Sequence, residues 1–398
     1  MTTAPDTAQD MAPDMTPDPG SVDLPDVRAA SGIVDDRGDC ADELAERVRQ
    51  AHDARTSLAI LGGGTKRATG RQFSGDPLDV TRHNGIVSYE PAELVLTARA
   101  GTRLADVTAV LAAAGQMLAF EPPAFGAGAT VGGTVACGIS GPRRPWGGAV
   151  RDAVLGVELI NGAGERLKFG GQVMKNVAGY DVSRLMAGAR GVLGVMTQVS
   201  VKVLPMPEVE TTCVLTLDQD AALARVVAWN RSALPLSATC HVDGQLFVRL
   251  SGAAAAVQEA AVGIGGEQVA ASDDFWSAAR EQRMAFFDAN EAGDCAGGLW
   301  RFSLPHAARM PCFAGDWLVE WAGAQRWLRA CAPVGGAATS AGAPAAGAEF
   351  VAAAAALGGH VQRWRPQWWE PQLGGPQREL QTRLQAAFDP RGIFNPGR

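Results

Sequence analysis

The sequence is poor in the residues that usually build metal centres and nucleic-acid surfaces. Its seven cysteines include no C-x-x-C pair, so we expect neither a zinc ribbon nor an iron–sulfur cluster held by this chain alone. Charged residues make up only 19% of the chain, and the net charge of −7 argues against a nucleic-acid partner, because phosphate binding needs a basic surface. The five histidines are far apart in the sequence, which predicts no metal site; they are His52, His83, His241, His306 and His360.

Long apolar runs are also missing. No stretch approaches the 18 or more strongly apolar residues of a membrane span, and the N-terminus lacks the basic and apolar regions of a secretory signal. The odd number and wide spacing of the cysteines fit reduced thiols. We therefore expect a cytoplasmic protein that would reach the inner membrane face only through partners.

Glycine, by contrast, is abundant and unevenly placed. Of the 48 glycines, 25 lie between Gly62 and Gly194, a third of the chain. Glycine permits positive φ and close approach of the backbone to a ligand, so this density predicts loops that wrap a bound molecule. Residues 1–26 are rich in Pro, Asp, Thr and Met without periodicity, and we expect them to form a disordered tail.

Strand and helix patterns alternate along the chain, which indicates a mixed α and β class. Among the predicted elements are a helix over 103–114 capped by Thr102, one strand over 239–250, and one helix over 273–287. The tract 332–359 consists mostly of Ala and Gly and carries little structural information.

A run of glycines ends the predicted strand over 58–61. In Gly62-Gly63-Gly64-Thr65-Lys66 the N–H groups of consecutive glycines can converge on a diphosphate, with the threonine hydroxyl and the lysine charge adding to the site. The G-x-x-x-x-G-K-[ST] pattern of a P-loop is absent. A plain turn after a strand remains the alternative.

A second glycine-rich motif reads GAGATVGG over 126–133. Its spacing is wrong for G-x-G-x-x-G and Pro122-Pro123 stands where a strand should be, which excludes a Rossmann fingerprint. The segment Thr130-Val131-Gly132-Gly133 instead predicts a turn that opens a short helix, which Ala136 and Gly138 keep thin. Small residues there allow a ligand to approach the helix N-terminus, although close packing between helices would also explain them.

The order of the motifs is more specific than any one of them. A glycine-rich phosphate turn is followed by T-V-G-G, R-D, K-N-x-x-G-Y-D and G-x-L-G-V-x-T, and the chain ends in N-P-G-R. Over about 35–207 and the C-terminal tail, this order resembles the FAD-binding fold of the vanillyl-alcohol oxidase and p-cresol methylhydroxylase superfamily. The run from G-I-S-G-P-R-R to K-N-V-A-G-Y-D-V-S-R-L closely resembles the smaller FAD-binding subunits of bacterial glycolate oxidases.

The resemblance implies an α+β fold: a two-subdomain FAD-binding fold of the p-cresol methylhydroxylase type with a smaller α/β cap domain. The expected organisation is a tail over 1–26, an FAD-binding domain over 27–207, a cap domain over 208–365 that contains the tract 332–359, and a C-terminal segment over 366–398 that returns to the FAD domain.

The resemblance also implies FAD, held noncovalently. Covalent members of the superfamily carry a flavin-linked histidine near the phosphate turn, whereas the first histidine after the turn here is His83. The residues expected to bind FAD are Gly62, Gly63, Gly64, Thr65, Lys66, Pro122, Thr130, Val131, Gly132, Gly133, Ala136, Gly138, Gly141, Gly191, Gly194 and Val195.

By the same resemblance, the chain is an FAD-binding subunit of a glycolate oxidase complex. Such a complex oxidises glycolate, a small 2-hydroxy acid, to glyoxylate, and passes electrons through flavin to an iron–sulfur partner. The larger flavin subunit carries a clustered histidine motif that this chain lacks, so no catalytic base is assigned, not even to His360 after its two glycines. Two alternatives stay open: a self-sufficient FAD-dependent 2-hydroxy-acid dehydrogenase, and a non-catalytic assembly subunit with a degenerate flavin site.

Overall fold

The computed structural model describes residues 38–70, 73–171, 180–269, 272–287, 297–331, 345–365 and 374–396. The predicted tail at 1–26, most of the K-N-x-x-G-Y-D motif and residues 332–344 of the Ala/Gly tract lie outside these ranges.

The N-terminal half contains a five-stranded antiparallel sheet with strand order β3-β4-β8-β6-β7, and a separate parallel pair, β1-β2. Strands β4 and β6 are almost wholly buried, as expected for central strands with helices packed against them. The elements of this half are α1 (Ala41–Ala54), β1 (Leu58–Leu61), β2 (Asp76–Asp79), β3 (Ile86–Glu90), β4 (Val95–Arg99), α2 (Leu104–Ala113), β5 (Gln116–Met117), α3 (Val131–Cys137), α4 (Arg144–Gly147), α5 (Val150–Ala153), β6 (Val154–Ile160), β7 (Arg166–Gly170), α6 (Val182–Leu185), β8 (Val195–Lys202) and β9 (Leu204–Pro205).

The second half is built on an eight-stranded sheet with the order β13-β10-β12-β11-β15-β16-β14-β17. Helices α7 and α8 pack on the sheet through one apolar cluster, and Ile139 of the first half packs into another cluster with Trp276, Trp327 and Trp364. The elements are β10 (Val209–Thr216), α7 (Gln219–Trp229), β11 (Leu236–Val242), β12 (Gln245–Gly252), α8 (Ala254–Ile264), β13 (Glu267–Val269), α9 (Asp273–Arg280), β14 (Leu299–Ser303), β15 (Gly315–Glu320), β16 (Gln325–Ala330), α10 (Ala345–Ala356) and β17 (His360–Arg365), followed by α11 (Gly375–Phe388).

The C-terminal tail runs back along β1. The amide of Leu58 donates to the Ile393 carbonyl at 2.7 Å, and the amide of Asn395 donates to the Leu58 carbonyl at 2.9 Å. Ile393 and Phe394 are buried in the same cluster as the apolar face of α1. The tail therefore belongs to the wall of the β1-β2 layer. The predicted domain boundaries stay predictions.

Three local predictions are wrong. The strand expected over 239–250 is two strands, β11 and β12, joined by Asp243 and Gly244, whose positive φ values of 50° and 72° give the tight hairpin turn that Asp-Gly favours. The helix expected over 273–287 ends at Arg280. Thr102 does not cap α2, because its hydroxyl donates to the Gly85 carbonyl instead.

Two short helices begin at a capping side chain, and the first of them is the helix predicted after Thr130. The Thr130 hydroxyl accepts a hydrogen bond from the Gly133 amide at 3.2 Å and begins α3. The Asp181 carboxylate accepts from the Arg184 amide at 3.1 Å and begins α6. Among the helices of the described ranges, none is long and apolar enough to cross a bilayer.

Candidate FAD site

A cavity of about 570 Å³ lies where the exit of β1, the start of α3, the 190–196 segment and the C-terminal tail meet. Its described lining residues are Ala59, Ile60, Leu61, Gly62, Gly63, Gly64, Thr65, Lys66, Arg67, Ala68, Phe73, Val80, Ala100, Thr130, Gly132, Gly133, Ala136, Cys137, Arg190, Gly191, Gly194, Met196 and Asn395.

The glycine turn after β1 packs tightly on the second glycine-rich motif. A Cβ on Gly63 would lie 1.4 Å from the Gly128 carbonyl oxygen, so only glycine fits there. Gly64 has a φ of +70°, which favours glycine for conformational reasons. The amides of Gly63, Gly64 and Thr65 donate to no acceptor within the described residues. They are therefore available to a ligand in the cavity.

The first turn of α3 has a different role. The amides of Val131 and Gly132 donate to the Thr102 and Ala100 carbonyls at 2.9 and 2.8 Å. A Cβ on Gly132 would lie 2.6 Å from the Ala100 Cβ. Close packing against Ala100 is thus enough to require Gly132, and these two amides are not available to an anion.

The ionisable groups that line the cavity favour an anion. Lys66, Arg67 and Arg190 line it, and no carboxylate is among its described lining residues, in a chain of net charge −7. Lys66 is only 7% exposed and donates from Nζ to the Ala124 carbonyl at 3.3 Å. Burial lowers the pKa of Lys66, and an anionic ligand would restore its preference for the charged form. Local positive charge of this kind is what a diphosphate requires.

Asn395 from the C-terminal tail closes one side of the cavity. Its Oδ1 accepts from the Ile60 amide at 2.7 Å, and its Nδ2 donates to the Arg190 carbonyl at 2.7 Å. A Cβ on Gly191 would lie 2.6 Å from that Nδ2. One side chain thus holds the end of β1 against the turn that begins at Gly191.

Comparison with known proteins decides the family. The FAD binding domain family matches residues 37–170. The glycolate oxidase subunit GlcE of Escherichia coli K12 is 43% identical over 362 residues, which cover 90% of this chain and 97% of that protein. The chain belongs to the GlcE family.

More distant relatives match only part of the chain or only its fold. The glycolate oxidase subunit GlcD of Bacillus subtilis is 28% identical over 189 residues, which are 47% of this chain and 40% of that protein. A crystal structure of alkyldihydroxyacetonephosphate synthase has a TM-score of 0.60 at 13% identity, and the match covers 89% of this chain and 75% of that one. This likeness shows the fold alone.

The GlcE-family cavity brings together eleven of the sixteen residues predicted from the sequence. They are Gly62, Gly63, Gly64, Thr65, Lys66, Thr130, Gly132, Gly133, Ala136, Gly191 and Gly194. The other five lie outside its lining; they are Pro122, Val131, Gly138, Gly141 and Val195.

Packing accounts for most of these five residues. Val131 and Val195 are buried in apolar clusters. Gly138 ends α3 with a φ of 63°, and a Cβ on Gly141 would lie 2.1 Å from the Glu121 carbonyl oxygen.

The sequence reasoning missed several lining residues, of which Arg190 and Asn395 are the most informative. Both lie next to motifs that it used: Arg190 precedes Gly191, and Asn395 begins N-P-G-R. None of the five histidines is among the described lining residues. His83 is buried elsewhere, where its Nδ1 accepts from the Cys40 amide at 3.0 Å. No cluster of three or more potential metal ligands occurs within the described ranges.

A cleft of about 720 Å³ continues from the cavity toward the second half of the chain. Thr65 and Ala68 line both spaces, and the far side of the cleft includes Arg280, Arg283 and Trp364. Both arginines of the cleft have hydrogen-bond partners. Arg280 Nε lies 3.0 Å from Glu281 Oε1, and Arg283 donates to the Ser277 hydroxyl at 3.2 Å.

Buried ion pairs join the two halves beside this cleft. Glu121 receives hydrogen bonds from Arg249 at 2.8 Å and from Arg143 Nε at 3.3 Å, and Arg143 also pairs with Glu210. Burial alone would raise the pKa of Glu121, but Arg249 and Arg143 hold it below its ordinary value. The carboxylate is therefore ionised, which fixes the two halves against each other.

Proposed function

We propose that this chain is the FAD-carrying subunit of a glycolate oxidase complex that oxidises glycolate to glyoxylate. The observation that carries the proposal is its 43% identity to a glycolate oxidase subunit across 97% of that protein, combined with an intact cationic cavity built by its glycine motifs. A degenerate flavin site would be expected to lose these features.

The chain's own residues would hold the diphosphate of FAD at the glycine turn. The available amides of Gly63 and Gly64 supply donors, and Lys66 and Arg190 supply positive charge. When bound, FAD supplies the two-electron acceptor for oxidation of a hydroxy acid. Asn395 joins the end of β1 to the backbone of Arg190 through two hydrogen bonds.

The flavin is proposed to be noncovalent. No histidine is among the described lining residues, and burial raises the pKa of the lining thiol of Cys137, which disfavours the nucleophilic thiolate. Precipitation of the protein with acid should release all flavin into the supernatant. Flavin that stays with the pellet would contradict this assignment.

The partners proposed are a larger flavin subunit and an iron–sulfur subunit. The GlcE relative is a glycolate oxidase subunit, and the GlcD subunit of Bacillus subtilis is similar to 47% of this chain. The described residues hold no metal-binding cluster, so electrons that leave the flavin need clusters on another chain. Contact with a membrane, in this proposal, goes through those partners.

Co-expression with the two candidate partners tests the function. We expect stoichiometric flavin in the purified chain and glycolate-dependent dye reduction only in the assembled complex. Activity of the isolated chain would instead identify a self-sufficient 2-hydroxy-acid dehydrogenase. A complex that is active while this subunit lacks flavin would identify an assembly subunit.

A further inference from the structure

Two arginines of the GlcE-family chain lie on one tryptophan. The guanidinium carbons of Arg144 and Arg301 lie 4.5 and 5.2 Å from the centre of the Trp321 ring. Within the described residues, no carboxylate oxygen lies within 4.0 Å of either guanidinium. Both residues are half-buried.

The surroundings of Arg301 hold its charge in place without neutralising it. Trp327 and Trp364 also face its guanidinium, at 5.7 and 5.4 Å from the ring centres. Its Nε donates to Gln325 Oε1 at 2.6 Å. Glu320 is near, but its carboxylate accepts from Gln325 and from Trp327 Nε1 rather than from Arg301. The terminal nitrogens of Arg301 thereby find no acceptor in the part of the chain that the structure describes.

Trp321 adds an unsatisfied donor to this cluster. The residue is only 6% exposed, and its Nε1 has no hydrogen-bond partner within the described residues. A buried donor without an acceptor normally costs free energy, which is why such groups are rare. Trp321, Ala322 and Gly323 all have positive φ, of 56°, 53° and 87°, so the turn between β15 and β16 is a strained one that presents this indole.

We propose that Arg144, Arg301 and the indole N–H of Trp321 form a second ligand site, which binds the carboxylate of a small hydroxy acid. Two guanidinium groups and one N–H donor match the acceptor sites of a carboxylate. The inference rests on the proposed function only for the choice of glycolate as the acid.

The desolvation of both arginines supports this site. It lowers the pKa of Arg301 to about 10 and also lowers the pKa of Arg144. A bound anion would therefore relieve a cost that each arginine now bears.

Calorimetric titration of the flavin-loaded chain with glycolate tests the site, with ethylene glycol as the neutral analogue and inorganic phosphate as a competing anion. We expect saturable binding of glycolate at one site and none of ethylene glycol. Arg301→Gln and Arg144→Gln should each weaken glycolate binding by about tenfold or more, because a charge-assisted hydrogen bond is lost. Trp321→Phe should weaken it by about fivefold, since the N–H is neutral.

Arg225→Gln is the matched control. Arg225 is exposed and lies 6.0 Å from the Trp229 ring, so this variant also removes a cation from an indole, but without a second arginine. Its glycolate affinity should equal that of the wild type. If Arg301→Gln fails to fold, as judged by circular dichroism and flavin content, Arg144→Gln in the short helix α4 carries the test.

Several results would overturn the inference: no saturable glycolate binding, unchanged affinity in both arginine variants, equal weakening by Arg225→Gln, or binding of phosphate but not glycolate. A complex that oxidises glycolate while this subunit binds none would overturn the inference alone. A flavin-free chain that still binds glycolate through these arginines would overturn only the proposed function.

Discussion

The FAD cavity and the junction between the two halves of the chain handle buried charge in different ways. The cavity is shaped by backbone and glycine, and the charged side chains among its described lining are all cations. At the junction, Arg143 and Arg249 are neutralised by Glu121 and Glu210. A site that receives an anion leaves its cations without carboxylates, whereas a structural contact pairs them. By this criterion, Arg144 and Arg301 resemble the cavity although they lie beside the junction.

Gly63→Ala should have the largest effect, because it attacks the backbone contact that shapes the cavity. The new Cβ would meet the Gly128 carbonyl oxygen at 1.4 Å, so the two glycine loops must separate. We expect loss of flavin from the purified chain, measured by its visible spectrum.

Gly64→Ala is the matched variant. There the nearest atom would be 3.9 Å away and only the positive φ is strained, which costs about 1–2 kcal/mol. This variant should keep its flavin. Equal flavin loss in both variants would mean that steric contact between the loops does not shape the site.

Glu121→Gln tests the junction. Removing this charge leaves Arg143 and Arg249 short of a buried partner, and we expect the free energy of unfolding in urea to fall by about 3–5 kcal/mol. Asp76→Asn removes an exposed pair with Arg47 and should change it by less than about 0.5 kcal/mol. Flavin content should stay normal in both variants.

Glu121→Gln should also change how the free energy of unfolding depends on pH. Because the pKa of Glu121 in the folded chain lies below its ordinary value of 4.5, its stabilisation is present above pH 4.5 and is lost as the pH falls through the folded-state value. The stability difference between wild type and Glu121→Gln should therefore shrink below pH 4.5. A constant difference down to about pH 3 would show that the charge of Glu121 is not responsible.

Asn395→Ala should have an intermediate effect. It removes two hydrogen bonds, one from the Ile60 amide and one to the Arg190 carbonyl, each of which contributes about 0.5–1.5 kcal/mol. Asn395→Asp keeps the acceptor for Ile60 but adds a negative charge to the cavity. We expect thermal stability closer to wild type for Asn395→Asp, yet weaker FAD binding than in Asn395→Ala. The reverse order of affinities would contradict a diphosphate at this wall.

Lys66→Met should have the smallest effect on the fold. Because Lys66 is buried and forms no ion pair with a described residue, an apolar side chain of similar length should leave stability unchanged or raise it. FAD affinity, measured by quenching of flavin fluorescence, should fall by about tenfold as one charge-assisted contact is lost. Lys168→Met, which removes an exposed partner of Glu158, should leave the affinity unchanged. Unchanged affinity in Lys66→Met would remove this lysine from the site.

Sequence reasoning worked best where local chemistry decides the structure. The cap at Thr130 and the turn after β1 follow from the short-range preferences of threonine and glycine. It failed where a residue distant in sequence supplies a competing hydrogen-bond partner. Thr102 was expected to cap α2, but Gly85 supplies an acceptor for its hydroxyl. Asp243-Gly244, by contrast, is a turn signal that was present and overlooked.

The sequence by itself determined the family and the FAD-binding fold. It also predicted sixteen FAD-binding residues, of which eleven line the cavity. Those properties follow from an ordered series of glycine motifs whose conformations are set by the residues themselves. Only the tertiary structure showed that the contact with Ala100 requires glycine at position 132 and that Asn395 bonds both Ile60 and Arg190. It also showed that two arginines contact the ring of Trp321. These are contacts between residues 20 or more positions apart. Whether a distant charge finds a partner depends on which side chains the fold brings within hydrogen-bond distance.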